Sequence, residues 1–258
     1  MTLAIVGDWL MGAGFDPGTI VSAAIMVFVA AVVRGLTGFG MAIILVPLLG
    51  LLIPPCQAVV LAILLQLLIG PVGLRAILAD ADRRSALRIA GVAMATTPVG
   101  LWLLTQTPPD IARLLIAIVA VVAFLLVLLP PSASGLPPAR TATVLTGATS
   151  GILTGFAAMP GPPVIPYYLR QQIAPKTARA SMMLVFFGTA IAGAVSAFAM
   201  HRADGTTIAL AAALFVPMVV GNWLGGRAFG RIPATVWRTL VAITLGLAAA
   251  SAVWRLVS

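Results

Sequence analysis

Two related stretches of sequence decide the fold, Arg34-Gly35-Leu36-Thr37-Gly38-Phe39-Gly40 and Ser150-Gly151-Ile152-Leu153-Thr154-Gly155-Phe156. The phrase Leu36-Thr37-Gly38-Phe39 returns at residue 153, an offset of 117 residues. A second phrase, Val99-Gly100-x-Trp102-Leu103, returns at residue 220, an offset of 121 residues. Two phrases repeated in the same order at nearly the same spacing indicate two copies of one unit. In a very apolar chain, such duplication is typical of membrane transporters whose binding site lies between the copies.

Composition excludes a soluble protein. The chain has 258 residues, of which 61% are hydrophobic and 8% charged, whereas soluble domains carry about a quarter charged residues. Apolar runs along its whole length predict an all-α, polytopic integral membrane protein, one membrane domain over 1–258 with about eight spans of roughly 20 residues. The net charge of +9 does not indicate nucleic acid, because the arginines lie in short loops between apolar runs, where they orient the spans.

The first unit of each copy is interrupted. Residues 18–53 form one apolar stretch, too long for a single span, with three glycines within 35–40. Residues 142–169 contain Met159-Pro160-Gly161-Pro162-Pro163, and consecutive prolines cannot continue a helix. We therefore predict two short helices separated by a break in each stretch, followed by three spanning helices per repeat. Repeat 1 covers about 18–129, a Pro/Ser/Gly linker covers 130–140, and repeat 2 covers about 142–256. Residues 57–78 are treated as one continuous span.

Arginine placement indicates the orientation of the two repeats. If each broken stretch crosses the membrane once, the basic residues divide evenly, seven on each side. If each stretch enters and returns to the same side, eleven become cytoplasmic and only Arg113, Arg202 and Arg255 lie outside. The second arrangement fits the positive-inside rule, and it predicts inverted repeats with both termini facing the periplasm or exterior. A re-entrant loop and a full two-pass hairpin give the same orientation, so both stay open.

The two breaks form the candidate substrate-binding site. A helix break in a membrane exposes backbone N–H groups and helix N-termini, which favour an anion. Because inversion brings the breaks toward the membrane midplane, we expect one site built from both repeats. Close helix packing through small residues is the competing interpretation. The candidate residues are Arg34, Gly35, Thr37, Gly38, Phe39, Gly40, Gln66, Thr154, Gly155, Phe156, Gly161 and Asn222.

Arg34 is the residue on which this prediction depends most. It lies within an apolar stretch, and arginines inside spans are rare and usually functional. A guanidinium beside a helix break suits an anion, whereas an arginine that snorkels from a helix end to the interface is the alternative. Gln66 and Asn222 are open to two similar interpretations, as cavity residues or as partners in helix–helix hydrogen bonds.

The residues that enzymes use are scarce. A catalytic site needs a nucleophile, a base or a metal cluster. The chain has one cysteine and one histidine, and its six acidic residues are all aspartates in the termini or in predicted loops. We therefore predict that the protein is not an enzyme and that it has no catalytic residue, metal or cofactor. We also predict no carboxylate within a span, so the usual proton relay is missing. A structural or assembly subunit is an alternative that explains glycine-rich packing but not paired breaks beside a charge.

The repeated stretches resemble those of the sulfite exporter TauE/SafE family, also called the toluene sulfonate uptake permease group. The resemblance covers about 20–255. The residues that carry it are those of 34–40 with Pro47, those of 150–156 with Pro160-Gly161, and Val220-Gly221-x-Trp223-Leu224-Gly225. The second copy has Ala157-Ala158 where the first has Gly40-Met41, so we expect the two breaks to contribute unequally.

The resemblance implies export of sulfite or an organosulfonate across the bacterial inner membrane. An uptake permease or a channel for another small anion is the alternative. The expected partners are the small sulfur-containing anion and the lipid bilayer. A homodimer stays open beside a monomer.

Overall fold

The computed structural model describes residues 16–128, 139–171 and 173–228. Of these residues, 86% are helical and none lies in a strand, which confirms the all-α prediction. Five described helices are long and apolar enough to cross a membrane, or six when one bent pair counts as a span. The chain is therefore a multi-pass membrane protein. Residues 130–138 of the predicted linker and the final apolar stretch at 234–256 lie outside the described residues.

Ten helices follow one another in the described part of the chain. The predicted first repeat contains α1 (Pro17–Thr37), α2 (Met41–Leu52), α3 (Pro55–Ile69), α4 (Leu74–Asp80), α5 (Arg83–Gln106) and α6 (Pro109–Leu128). The predicted second repeat contains α7 (Arg140–Ala157), α8 (Gly161–Leu169), α9 (Pro175–Ala199) and α10 (Gly205–Ala228).

Both predicted breaks are present. The first break, residues 38–40, separates α1 from α2, and Gly38 and Gly40 have φ angles of 83° and 89°. An L side chain rarely adopts this conformation, so glycine is the residue that permits the turn. The second break, residues 158–160, separates α7 from α8, and Ala158 has a φ of 57°. One detail differs from the prediction of two short helices, because α1 has 21 residues and is long enough to cross alone.

Helix packing joins the two predicted repeats crosswise. Helix α7 of the second repeat lies along α5 of the first, and α1 of the first lies along α10 of the second. A Cβ atom on Gly155 would meet the backbone of Thr97 and Leu101, and one on Gly35 would meet the backbone of Asn222. Small residues allow such close approach in membranes. Each contact sets the break-containing stretch of one repeat against the Val-Gly-x-Trp-Leu phrase of the other. The inverted orientation of the repeats stays a prediction.

The predicted span at 57–78 is not continuous. Helices α3 and α4 meet at an angle of 81°, across residues 70–73. Pro71 follows Gly70, and Gly73 has a positive φ of 76°, so the chain turns where its sequence is Gly-Pro-x-Gly. This third bend places the end of α3 beside the two breaks.

Candidate functional site

One cavity lies where the two breaks meet. We call it the central cavity, and it is lined by Phe39 and Gly40 of the first break together with Met159 and Pro160 of the second. Its volume is about 30 Å³, room for roughly two water molecules at about 10–15 Å³ each. Two interruptions more than a hundred residues apart in sequence therefore contribute to one small cavity.

The start of α2 supplies backbone donors to this cavity. Helix α2 begins at Met41, and its N-cap residue, Gly40, has no side-chain capping hydrogen bond. Met41, Ala42 and Ile43 all line the cavity. The first N–H groups of a helix have no acceptor within the helix, and they lie at the positive end of its dipole. This wall of the cavity is therefore suited to an anion.

The start of α8 supplies far fewer donors. Its N-cap residue is Pro160, and Pro162 and Pro163 follow Gly161 directly. Proline has no N–H group, so Gly161, which lines the cavity, is the residue with a backbone donor among these four. The breaks are thus unequal, as the departure at Ala157-Ala158 led us to expect. The first break brings donors and charge, and the second mainly encloses the space.

Arg34 brings a guanidinium to the cavity. It lies in the last turn of α1, lines the cavity and is partly buried. Its Nη1 atom donates a hydrogen bond of 2.9 Å to Oδ1 of Asn222 on α10. Neither ion pair found within the described ranges includes Arg34. The side chain is thus held by a neutral amide, and its positive charge is not neutralised by a neighbouring carboxylate in that part of the chain.

A second arginine reaches the first break from the other repeat. Arg179 lies in the second turn of α9, and its Nη2 atom donates a hydrogen bond of 2.9 Å to the carbonyl oxygen of Gly35. Its aliphatic stem covers Gly38, where an added Cβ would lie 2.6 Å from Cγ. Arg34 and Arg179 are therefore both held at the C-terminal end of α1. From the sequence, Arg179 is one of the arginines expected to orient the spans, and its position at the first break was not predicted.

The remaining walls come from α3 and α9. Gln66 and Gly70 line the cavity from the end of α3, and Phe186 and Phe187 line it from α9. Nε2 of Gln66 donates to the carbonyl oxygen of Ala158 at 3.0 Å, so α3 is tied to the second break. A Cβ atom on Gly70 would collide with the ring of Phe187. The ring therefore occupies the space that this glycine leaves.

Several predicted residues lie beside the cavity without lining it. The Thr37 hydroxyl donates to the carbonyl oxygens of Val33 and Phe39 at 2.9 and 2.6 Å, and the Thr154 hydroxyl donates to that of Ser150 at 2.8 Å. These hydroxyl groups thus form hydrogen bonds to backbone carbonyl groups of their own helix end or turn. Five further predicted residues are also absent from the lining: Gly35, Gly38, Gly155, Phe156 and Asn222. Four of them pack: Gly35 and Gly155 at helix crossings, Gly38 under Arg179, and Phe156 against the apolar core. A direct substrate contact for these residues stays a prediction.

Some residues of this region were not picked out from the sequence. Gly70 carries a visible signal, since Gly-Pro-x-Gly indicates a turn. Phe186 and Phe187 carry no such signal, because aromatic residues on an apolar helix are as expected in helix packing as in a binding site. Arg179 carries none either, because only the approach of α9 to the first break distinguishes it from a loop arginine.

The described aspartates all lie at helix ends. Asp16 precedes α1 and Asp82 precedes α5, Asp110 is in the first turn of α6, Asp80 ends α4, and Asp204 caps α10. Asp16 accepts hydrogen bonds from the backbone and side chain of Thr19, which lowers the pKa of its carboxyl group. No carboxylate within the described ranges lines the central cavity.

Comparison with known proteins gives one family. The family model described as Sulfite exporter TauE/SafE matches residues 23–252, nearly the whole chain. No curated protein and no solved structure matches the chain.

Proposed function

Because the chain belongs to the TauE/SafE sulfite exporter family of membrane transporters, we propose that its central cavity binds a small sulfur oxyanion during transport. Sulfite and organosulfonates are the proposed substrates, and export across the bacterial inner membrane is the proposed direction. The single observation that carries the proposal is the convergence of both helix breaks on one cavity with Arg34 in its wall.

The donors of the cavity match the acceptors of such an anion. A sulfite or sulfonate head presents three oxygen atoms to a few donors that are fixed in place. The start of α2 offers backbone N–H groups, and Arg34 offers a guanidinium, whose hydrogen bonds to anions are the strong kind. Phe39, Phe186 and Phe187 give the cavity apolar walls, and an apolar surrounding strengthens the attraction between charges. The small volume favours a ligand of few atoms.

The position of the carboxylates supports a simple mechanism. With the described aspartates at helix ends, the usual relay for protons is missing from the described spans. We propose facilitated diffusion of the anion, with the site exposed to each side in turn. In a proteoliposome assay, proton flux that is tightly coupled to the substrate would contradict this mechanism. The inverted repeats and the outward-facing termini belong to the same proposal, and accessibility labelling of residues near each end tests them.

A passive channel for small anions is the second candidate. One assay distinguishes a carrier from a channel and also gives the direction of transport. It measures the initial rate of sulfite flux into and out of proteoliposomes. A carrier gives a rate that saturates with concentration, and external substrate accelerates the exit of internal label. A channel gives neither result.

The central test is the binding of sulfite, sulfate, thiosulfate and methanesulfonate to the natural protein and to Arg34→Ala. We expect the variant to bind its anion more weakly by about 1.5 kcal/mol or more, which is about tenfold, the contribution of a charged hydrogen bond. Arg88→Ala is the matched control, because this exposed arginine of α5 lies away from the central cavity. Equal affinity in a correctly folded Arg34→Ala variant would remove this residue from the site. Failure of the natural protein to bind any of the four anions would overturn the proposed function.

A further inference from the structure

A second pocket lies between the N-terminal halves of α5 and α7. We call it the basic groove, and it is lined by Arg88 and Val92 of α5 and by Arg140, Thr143 and Val144 of α7. Its volume is about 510 Å³, within the range of about 300–1,000 Å³ that is usual for ligand pockets. None of these residues lines the central cavity, so the two pockets are separate.

The packing of α5 against α7 places both groove arginines toward one end of the helix pair. A Cβ atom on Gly147 would meet the carbonyl oxygen of Ile89, and one on Gly151 would meet that of Ala93. The residue numbers rise together along this contact, so the two helices run in the same direction. The basic groove therefore lies toward the end at which both helices begin, on the side of the membrane that the arginine count predicts to be cytoplasmic.

The charges of the groove arginines are not neutralised within the described part of the chain. Arg88 and Arg140 are both exposed. The ion pairs found in the described ranges involve Asp110 and Asp80, and neither pair includes a groove arginine. Neither arginine side chain forms a hydrogen bond to any described residue. Both guanidinium groups can therefore meet a negatively charged group that comes from outside this part of the protein.

Apolar surface continues from the basic groove along the same helices. Positions 88, 92 and 99 share one face of α5, since they are four and seven residues apart, and Val99 is 49% exposed. Leu87 and Leu145, the sequence neighbours of two groove residues, are 60% and 65% exposed. Exposed apolar surface on a multi-pass membrane protein is suited to contact with lipid. A ligand of this region therefore meets two cations beside apolar surface.

We propose that the basic groove binds an anionic phospholipid, with the phosphate between Arg88 and Arg140 and the acyl chains along the apolar surface of α5 and α7. Basic pockets between membrane helices on the cytoplasmic side suit such head groups. Arginine matches a phosphate, because its guanidinium donates two parallel hydrogen bonds. Thr143 adds a hydroxyl group to the polar wall. This inference is independent of the proposed function, because the two pockets have no lining residue in common.

The test compares two phospholipids that differ only in the head group. Phosphatidylglycerol carries one net negative charge, and phosphatidylcholine with the same acyl chains carries none. Each lipid is titrated into the full-length protein in a neutral detergent, and native mass spectrometry gives the two dissociation constants. We expect the natural protein to prefer phosphatidylglycerol. Arg88→Gln/Arg140→Gln should reduce this preference by about 25-fold, since each arginine near an anionic lipid contributes about fivefold.

Arg75→Gln/Arg170→Gln is the matched control. It removes the same charge from the side of the membrane predicted to be cytoplasmic, and both arginines are exposed and absent from the basic groove. We expect the control to keep the preference for phosphatidylglycerol within about twofold of its natural value, because distant surface charges are screened by salt. A general attraction between basic residues and anionic lipid would respond equally to both double variants. Equal reductions would therefore show that the groove is not a site.

Soluble anions distinguish a lipid from free phosphate. Inorganic phosphate and glycerol 3-phosphate lack acyl chains, so we expect neither to displace phosphatidylglycerol at equal concentration. If either does, the groove is a site for a soluble anion and the inference is wrong. A natural protein without a preference for phosphatidylglycerol also overturns the inference. So does a dimer that Arg88→Gln/Arg140→Gln dissociates, because the groove is then a contact between two copies.

A measurement on the natural protein decides if the double variant does not fold. Raising the salt concentration from about 0.01 M to about 1 M shortens the Debye length about tenfold, so most of the preference for phosphatidylglycerol should be lost. A preference that does not change with salt would show that the arginine charges do not select the lipid.

Discussion

The replacement of Gly155 by alanine tests how the cavity depends on helix packing at a distance from its walls. Gly155 lies where α7 crosses α5, and an added Cβ would meet the backbone of Thr97 and Leu101 on that helix. Backbone atoms cannot rotate away as a side chain can, so the two helices must separate to admit the methyl group. The second break begins three residues later, at residue 158, and would move with α7.

The expected magnitude follows from two opposing effects. Overpacking a close contact costs about 1–3 kcal/mol. Alanine gains about 1 kcal/mol over glycine as a helix former, and this offsets part of that cost. Because the clash at Gly155 is with backbone atoms of α5 and not with a movable side chain, we expect the upper end of the range and a net loss of about 2 kcal/mol in the free energy of unfolding.

Gly91→Ala is the matched control for this variant. Gly91 is an exposed residue of α5, and an added Cβ there meets nothing within 4 Å. The control keeps the gain in helix propensity without the clash, so it should raise the stability by about 1 kcal/mol. The two variants introduce the same methyl group and should shift the melting temperature of the detergent-solubilised protein in opposite directions.

The assay combines thermal unfolding with sulfite flux in proteoliposomes. We expect Gly155→Ala to melt below the natural protein and to transport slowly even below its melting temperature, because the second break is displaced. Gly91→Ala should transport normally. If Gly155→Ala melts as high as Gly91→Ala and transports at the natural rate, the close crossing of α5 and α7 does not support the cavity, and this reasoning fails.

Two further variants probe the breaks directly. Gln66→Leu removes the 3.0 Å hydrogen bond to Ala158 and should slow transport with a loss of about 1 kcal/mol in stability, whereas Gln57→Leu, which removes a 3.3 Å hydrogen bond elsewhere on α3, should leave the flux unchanged. Equal fluxes in these two variants would contradict a role for the contact at the second break. Gly38→Ala places alanine at a φ of 83° and brings its Cβ against the side chain of Arg179. Gly73→Ala is the control, because it adds only the conformational strain of a φ of 76°, about 1–2 kcal/mol, and its Cβ has no neighbour within 4 Å. Gly38→Ala should therefore lose more stability by thermal unfolding, and equal losses in the two variants would show that the arginine contact is unimportant.

Local chemistry made parts of the site predictable. Gly38 and Gly40, and the prolines that begin α8, interrupt a helix through their own backbone properties, so both breaks were predicted from the sequence and found. Arg34 was identified because a charge in an apolar stretch is costly, and it lines the cavity. The Gly-Pro-x-Gly bend after α3 belongs to the same class, although the long apolar run around it favoured a continuous span.

Pairwise contacts made the other parts unpredictable. Thr37 and Thr154 look like ligand donors in sequence, yet their hydroxyl groups bond to nearby carbonyl oxygens. Gly155 lies in the same motif as these residues but packs at a helix crossing. The partner of a polar group, and the residue that packs against a glycine, depend on which helix lies next to it. The amino-acid composition of one segment does not contain this information.

The amino-acid sequence alone determined that this chain is a helical membrane protein with two interrupted stretches, because hydropathy and backbone preference act over a few neighbouring residues. The tertiary structure alone decided that the breaks share one cavity and that Arg179 joins Arg34 at the first of them. It also decided which helices pack together, α1 on α10 and α5 on α7. These features join residues that are far apart in the sequence, and they arise only when glycine surfaces on separate helices come close enough to pack.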